Sequence, residues 1–230
     1  MMQATLSQPV RLDALTRVLL LVSVVLTLVG GILALGSPPD VNQGYVARIF
    51  HLHVPLAWIS YLSVFLCLGY SIAYLVRSRM VHDRIAAAAL EVGLIFQALT
   101  LLSGMLWARP TWGVYWVWEP RLTTTAVLFA ICIGYFVVRS AIEDPEFRGK
   151  AAAAVAILGA INVPISYMSV NWWRSIHQTQ SINLTTGKIS VSSEILIPML
   201  VNLAAFTLFY LALVRFRAYL ADRTAAKELL

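Results

Sequence analysis

Long apolar runs alternate with short polar breaks along the whole chain. Runs of about 20 apolar residues occur near 18–36, 54–76, 85–107, 122–141, 151–171 and 195–214. That is the length a helix needs to cross a hydrocarbon core of about 30 Å. The pattern predicts an all-α polytopic membrane protein with six transmembrane helices. Ser37-Pro38-Pro39 closes the first run, Pro55 sits in the first turn of the second, and Pro110 follows the third. The stretch EDPEFRGK divides the fourth from the fifth, and a polar segment rich in Ser, Thr and Asn divides the fifth from the sixth. Arg11 and Arg17 precede the first run and Ala34-Leu35-Gly36 resembles a cleavage site. Its apolar stretch is longer than a signal-peptide core, so a retained anchor is expected.

Composition agrees with the pattern. The chain is 60% hydrophobic and 12% charged, with a mean hydropathy of +0.78. Residues 1–230 are expected to form a single integral membrane domain, with no soluble part large enough for its own core. The net charge of +6 comes from bases scattered through short loops. Membrane lipid is therefore the expected partner, and nucleic acid is not. The N-terminus, the 77–84 loop, the 139–150 region and the C-terminal tail carry 2, 3, 3 and 4 of the 17 Lys and Arg, 12 together. The alternate loops carry the other 5. By the positive-inside rule both termini are cytoplasmic, and in a bacterial inner membrane the alternate loops are periplasmic.

This topology puts the tryptophans on one side. Trp107, Trp112, Trp116, Trp118, Trp172 and Trp173 fall at or beyond the outer ends of spans, and Trp58 lies about one turn inside. An interfacial belt uses both surfaces, as the tyrosines do here with Tyr74 and Tyr219 inside and Tyr45 and Tyr115 outside. A belt alone does not explain the imbalance. The segment at about 108–121 is interrupted by Pro110, Gly113 and Pro120 and carries Glu119 and Arg121, so it is not a further span. As a helix it would align Trp112 with Trp116; as extended chain it would align Trp116 with Trp118. Either form gives an amphipathic hairpin at the outer surface, with aromatics toward lipid or ligand.

Three of the four histidines share that face. His51 and His53 immediately precede the second span, and His177 lies in the last outer loop; His82 is on the cytoplasmic side. On a helix His51 and His53 would point about 200° apart, so one of them at most faces a site shared with His177. The proline that follows His53 favours it over His51. A closed zinc site is not expected, because the outer face has no cysteine and no His-x-x-x-His pair. Cys67 and Cys132 lie in apolar runs, outside any C-x-x-C pattern. A bis-histidine cytochrome b core would carry its ligands within the spans, where no histidine is expected. Haem at the outer surface suits the residues: two imidazoles for iron, indoles against the porphyrin and arginines for propionates. Arg48, Arg109, Arg121 and Arg174 are the outer arginines, and each equally suits lipid headgroups.

The residues then acquire a family likeness. WGVYWVWEPRLT resembles the tryptophan-rich signature of the haem-handling membrane proteins of cytochrome c maturation, and the match is nearest to the small six-span CcmC type. IFHLHVPLAW and VNWWRSIHQ resemble that family's two histidine-bearing segments, and the likeness extends over about 45–215. It implies that His53 and His177 are the axial ligands of haem iron. It also implies that Trp112, Gly113, Trp116, Trp118, Arg121 and Leu122 belong to the haem-platform motif. Glu119 stands where the family usually has aspartate, followed by Pro120. The implied activity is binding haem b at the periplasmic surface and delivering it to a membrane-anchored haem chaperone. The implied partners are that chaperone, the subunits of an ABC-type complex and a small membrane subunit.

No G-x-x-x-x-G-K-[ST] loop is present, so ATP hydrolysis would belong to a partner, and no acid–base–nucleophile set marks an enzyme. The rival reading is a small-solute or haem transporter acting across the membrane. Its candidates are Asn162 and Pro164 in the fifth span and Pro198 and Asn202 in the sixth. An electron-transferring oxidoreductase and a purely structural assembly subunit are further rivals. Glu91, the one acid clearly within a span, is expected to snorkel or to pair with Arg84 or Arg77.

Overall fold

Helix ends in this chain are written by acids and prolines as much as by hydropathy. The computed structural model describes residues 11–183 and 186–228. Its six long helices are α1 (Ala14–Gly36), α2 (Phe50–Arg77), α3 (Met80–Trp112), α4 (Pro120–Ala141), α5 (Pro145–Trp172) and α6 (Ser193–Glu228). A short 3₁₀ turn, Tyr45–Ile49, leads into α2. All six are long and apolar enough to cross a membrane. Asp13 caps α1 by accepting the Thr16 amide at 2.6 Å. Glu119-Pro120 and Asp144-Pro145 open α4 and α5 in the same way, with the acid at the cap and proline at the first helical position.

Several boundaries differ from expectation. α2 begins at Phe50, so His51 and His53 lie within its first turn instead of preceding it. α3 runs through Pro110 and stops at Gly113, whose φ of 80° is the left-handed cap that glycine supplies without strain. The tryptophan-rich segment is thus not a surface hairpin. Its first part is the last turn of α3, and 113–119 are irregular chain leading to the cap of α4.

α2 is the central helix, packed by α3, α5 and α6, with α4 on α5 and α1 on α6. One buried cluster joins α2 to α5 through residues including Val64, Leu90, Leu128, Tyr135 and Ala156. A second joins α2, α3 and α6 through Ile59, Ala89, Phe96 and Tyr210. Small residues let these backbones approach, above all the alanines that open α5. Cys67 and Cys132 are buried, free thiols.

Ion pairs gather at the end opposite the tryptophans. Arg139 grips Asp83 with two hydrogen bonds of 2.6 and 2.8 Å. Asp13 pairs with Arg215 at 2.8 Å, and Arg84 pairs with Asp222. Glu91 pairs with Arg217 on α6 at 2.9 Å, not with Arg84 or Arg77. The reason is that α6 continues far past its apolar part and carries its own arginines back alongside α3.

Candidate functional site

At the tryptophan end, α2, α3, α5 and α6 diverge around a cavity of about 550 Å³. That is within the range of pockets that hold organic ligands. Both His53 and His177 line it; His51 does not. The His51 Nε2 lies 3.2 Å from the Ser37 hydroxyl, which itself donates to Ala34 O. His51 therefore secures the end of α1 to α2.

Two small residues of α3 set the His53 ring. Ser103 Oγ donates to Thr100 O at 3.1 Å, which uses its one proton. The 2.9 Å contact with His53 Nδ1 then requires the imidazole to donate, leaving Nε2 with its lone pair. Gly104 makes the room, because a Cβ there would lie 3.1 Å from His53 Cε1. Trp107, one turn on, packs edge-on against the ring at 5.7 Å and donates to Gln43 at 2.7 Å.

His177 comes from the α5–α6 connection. Its Nδ1 lies 2.9 Å from the Gln178 carbonyl, which can only accept, so here too Nε2 keeps the lone pair. Loss of solvent around the half-buried ring lowers its pKa below the ordinary 6.5, and the Arg121 cation pushes the same way. That keeps the neutral form that metals bind. Trp112 meets the ring edge-on at 6.2 Å.

The irregular segment 113–119 earns its acid. Glu119 is only 6% exposed. One carboxylate oxygen caps α4 through the Leu122 amide, and the other accepts the Ser175 hydroxyl. Ser175 Oγ in turn accepts the His177 amide at 3.0 Å. The cap of α4 and the seat of His177 are thus one network. Tyr167, on α5, fixes the rest of the loop by donating to Ile182 O at 2.8 Å and accepting from Gln180 at 2.9 Å through its carbonyl.

Of the remaining motif residues, Trp112, Trp116, Arg121 and Leu122 line the cavity, whereas Gly113 and Trp118 do not. Trp118 is 77% exposed and meets Trp116 edge-on at 5.3 Å. Arg48, Arg109 and Arg174 also lie off the cavity wall. Arg48 donates twice to Ser37 O, Arg109 donates to Gly113 O at 2.6 Å, and Arg174 is exposed. Arg121 alone of the four outer arginines faces inward. It donates to Tyr61 OH at 3.2 Å, and Tyr61 is held 2.9 Å from Ser166 on α5. Its Nε and the Trp116 indole Nε1 are buried donors without a partner. Both residues line the cavity, and the Arg121 cation gives its wall a positive charge that an anionic ligand would neutralise.

Ser103, Gly104, Tyr61, Ser166 and Ser175 also belong to the site, although no sequence motif marks them as such. Ser103-Gly104 interrupts an apolar run, and Ser175 stands two residues before His177, so small polar residues were the available signal.

Six bilayer-length helices around this polar-tipped cavity define a polytopic membrane protein with a ligand-sized cavity at one end. The family model for CcmC, "Heme exporter protein C", matches residues 4–230. The chain belongs to that family. It is 38% identical over 212 residues to the heme exporter protein C of Bradyrhizobium diazoefficiens, covering 90% of this chain and 80% of that protein. It is 31% identical over 182 residues to the heme exporter protein C of Paracoccus denitrificans, covering 79% and 75%. A putative cytochrome c biosynthesis ccmC-like mitochondrial protein of Marchantia polymorpha is 35% identical over 170 residues, covering 74% and 71%.

Proposed function

We propose that this chain, a single membrane domain of the bacterial inner membrane with both termini cytoplasmic, binds haem at the periplasmic surface. It passes that haem to a membrane-anchored chaperone during cytochrome c maturation. The observation that carries the reading is the pair His53 and His177, each with Nδ1 committed to an acceptor and Nε2 left with its lone pair, both lining one cavity. A hydrogen bond at one ring nitrogen fixes the tautomer that offers the other to a metal. Trp112 and Trp116 supply indole faces for a porphyrin, and the Arg121 guanidinium supplies a cation for a propionate. Iron brings its own coordination chemistry; the chain holds, orients and shields the cargo. Hydrolysis of ATP falls to the ABC-type subunits that the family name implies, and the chain acts as a transfer protein, not an enzyme.

The cavity also weighs against passage across the whole membrane. Its lining on α2 stops at Phe65 of a helix that runs to Arg77, and on α3 begins at Thr100 of a helix that starts at Met80. The polar candidates Asn162 and Asn202 are not among the lining residues.

The test is the visible spectrum of protein purified from haem-replete cells, repeated with His53→Ala and His177→Ala. A Soret band in the wild type that either substitution weakens is the expected result. Wild-type protein that carries no haem would overturn the proposal.

A further inference from the structure

The cavity has a roof but lacks one side wall. Its outer end is covered by residues 177–182, tied down through Tyr167, Gln180 and the Glu119–Ser175 contact. Sideways, α5 and α6 each pack along α2 and share no packed face with each other. The gap between them exposes a stripe of α2, namely Trp58, Leu62 and Phe65, spaced to lie on one face. Trp58 is 40% and Phe65 48% exposed although both line the cavity. Pro164 of α5 and Met199 and Leu203 of α6 flank the stripe. From His53 to Phe65 the helical rise amounts to about 18 Å, so this arm reaches about half way through a hydrocarbon core. The arm is apolar along these residues, while the imidazoles, Arg121 and the glutamines sit at its outer end.

We propose that this cleft is a lateral door through which haem enters from the outer leaflet, and that Trp58 is its movable leaf. The proposal rests on the haem reading above. Haem is a flat molecule with an apolar edge and two carboxylates on the opposite edge. In a leaflet its carboxylates stay at headgroup level, the level of Arg121 and Trp116, and its apolar edge stays among acyl chains. Sliding between α5 and α6 keeps both edges in those surroundings throughout. Entry from water would require the bonded roof to open and the apolar edge to cross the aqueous boundary. The Trp58 indole donates to Thr207 Oγ1 on α6 at 3.2 Å, one hydrogen bond across the mouth. Thr207 is itself anchored to Leu203 O at 2.7 Å, so the latch belongs to the flank it closes.

The experiment uses the full chain in lipid nanodiscs, with haem supplied from donor vesicles or from a haem–albumin complex in water. Soret absorbance gives both the loading rate and the final occupancy. Leu203→Trp narrows the cleft and is expected to slow loading from vesicles by about tenfold while final occupancy stays within about twofold. Trp58→Ala removes the leaf and is expected to raise the vesicle-loading rate several-fold. Loading from albumin is expected to be the slower route in the wild type. Unchanged rates in both variants, with normal final occupancy, would overturn the door and leave the haem site standing. A lipid acyl chain as the arm's sole occupant would give that same result. Should Leu203→Trp not fold, the Trp58→Ala rate decides alone. Wild-type protein that never acquires a Soret band would instead sink the haem reading.

Discussion

Ser175→Ala isolates the link that seats His177. In the folded chain the Ser175 hydroxyl donates to the Glu119 carboxylate and accepts the His177 amide at 3.0 Å. Removing it deletes a hydrogen bond to a charged group, worth about 1.5–3 kcal/mol, and strands an amide and a carboxylate oxygen. Glu119 is only 6% exposed, so water replaces the lost partner poorly. At about 1.4 kcal/mol per decade, the ratio of seated to released His177 falls about 10- to 100-fold. Loss of an outer-shell partner of a metal ligand is felt on the same scale. Ser175 is half-buried, which favours the lower end. The other oxygen of Glu119 keeps its cap on α4, so the thermal midpoint should fall less than when Glu119 itself is replaced. Glu119→Ala should lower both haem affinity and midpoint, because it also removes a cap worth about 1 kcal/mol. The assay is a haem titration followed at the Soret band, beside thermal unfolding. Ser175→Thr and millimolar imidazole each serve as rescue, the first restoring the hydroxyl and the second supplying a free axial ligand. Ser175→Ala with wild-type haem affinity, in a protein that His177→Ala impairs, would refute the reasoning.

Gly104→Ala places a methyl 3.1 Å from His53 Cε1 and should push the ring, lowering haem affinity by about fivefold, or about 1 kcal/mol, in the same titration. Gly30→Ala would drive its Cβ into the Asn202 side-chain amide, so that amide must swing away or α1 must move off α6. The expected cost is about 1–3 kcal/mol by thermal or detergent unfolding, recovered in the Gly30→Ala/Asn202→Ala double variant. Arg139→Leu leaves Asp83, 3% exposed, as an unpaired buried charge and should cost about 3–5 kcal/mol; adding Asp83→Leu should restore most of the protein yield. The Thr16 amide and side chain, then Arg215, hold the Asp13 carboxyl at about 2 against an ordinary 3.8. Its contribution is therefore complete above pH 3.8 and lost as pH falls through about 2; a carboxyl carbon NMR titration with a midpoint at 3.8 or higher would contradict this.

Hydropathy made the six helices legible, because bilayer-length apolar runs have few other uses. It did not set their ends. α3 outruns its apolar run at both ends, and Pro110 does not stop it because the helix closes only one turn later, at Gly113. α6 extends to Glu228 because its arginines find acids on α3 and before α1, a gain that a window of hydrophobicity does not register. The better signals were local: Asp13, Glu119 and Asp144 cap helices, and two of the three precede a proline.

The site was legible as a place before it was legible as a set of atoms. One-sided tryptophans and three histidines marked an end of the bundle, but the choice between His51 and His53 depends on what faces each ring. Ser103 and Gly104 face one and Ser37 the other, from elements far away in sequence. The same holds for the arginines. Arg48 and Arg109 spend their donors on nearby carbonyls, and Arg121 turns inward because Pro120 starts α4 immediately before it and Tyr61 waits across the cavity.

The two histidines also differ in how they are held, which bears on the proposed release of haem. His53 sits on the first turns of the most heavily packed helix, with a serine, a glycine and an indole of α3 against its ring. His177 sits on a connection, held by the Ser175 contact to the α4 cap on one side and by Tyr167 with Gln180 and Ile182 on the other. Local opening draws on the segments with the fewest buried contacts, so the His177 side yields before the His53 side. Glu119 then has a double part in the exchange. One of its oxygens caps α4 and the other holds Ser175, so a loop that let go of Ser175 would leave the helix that carries Arg121 capped.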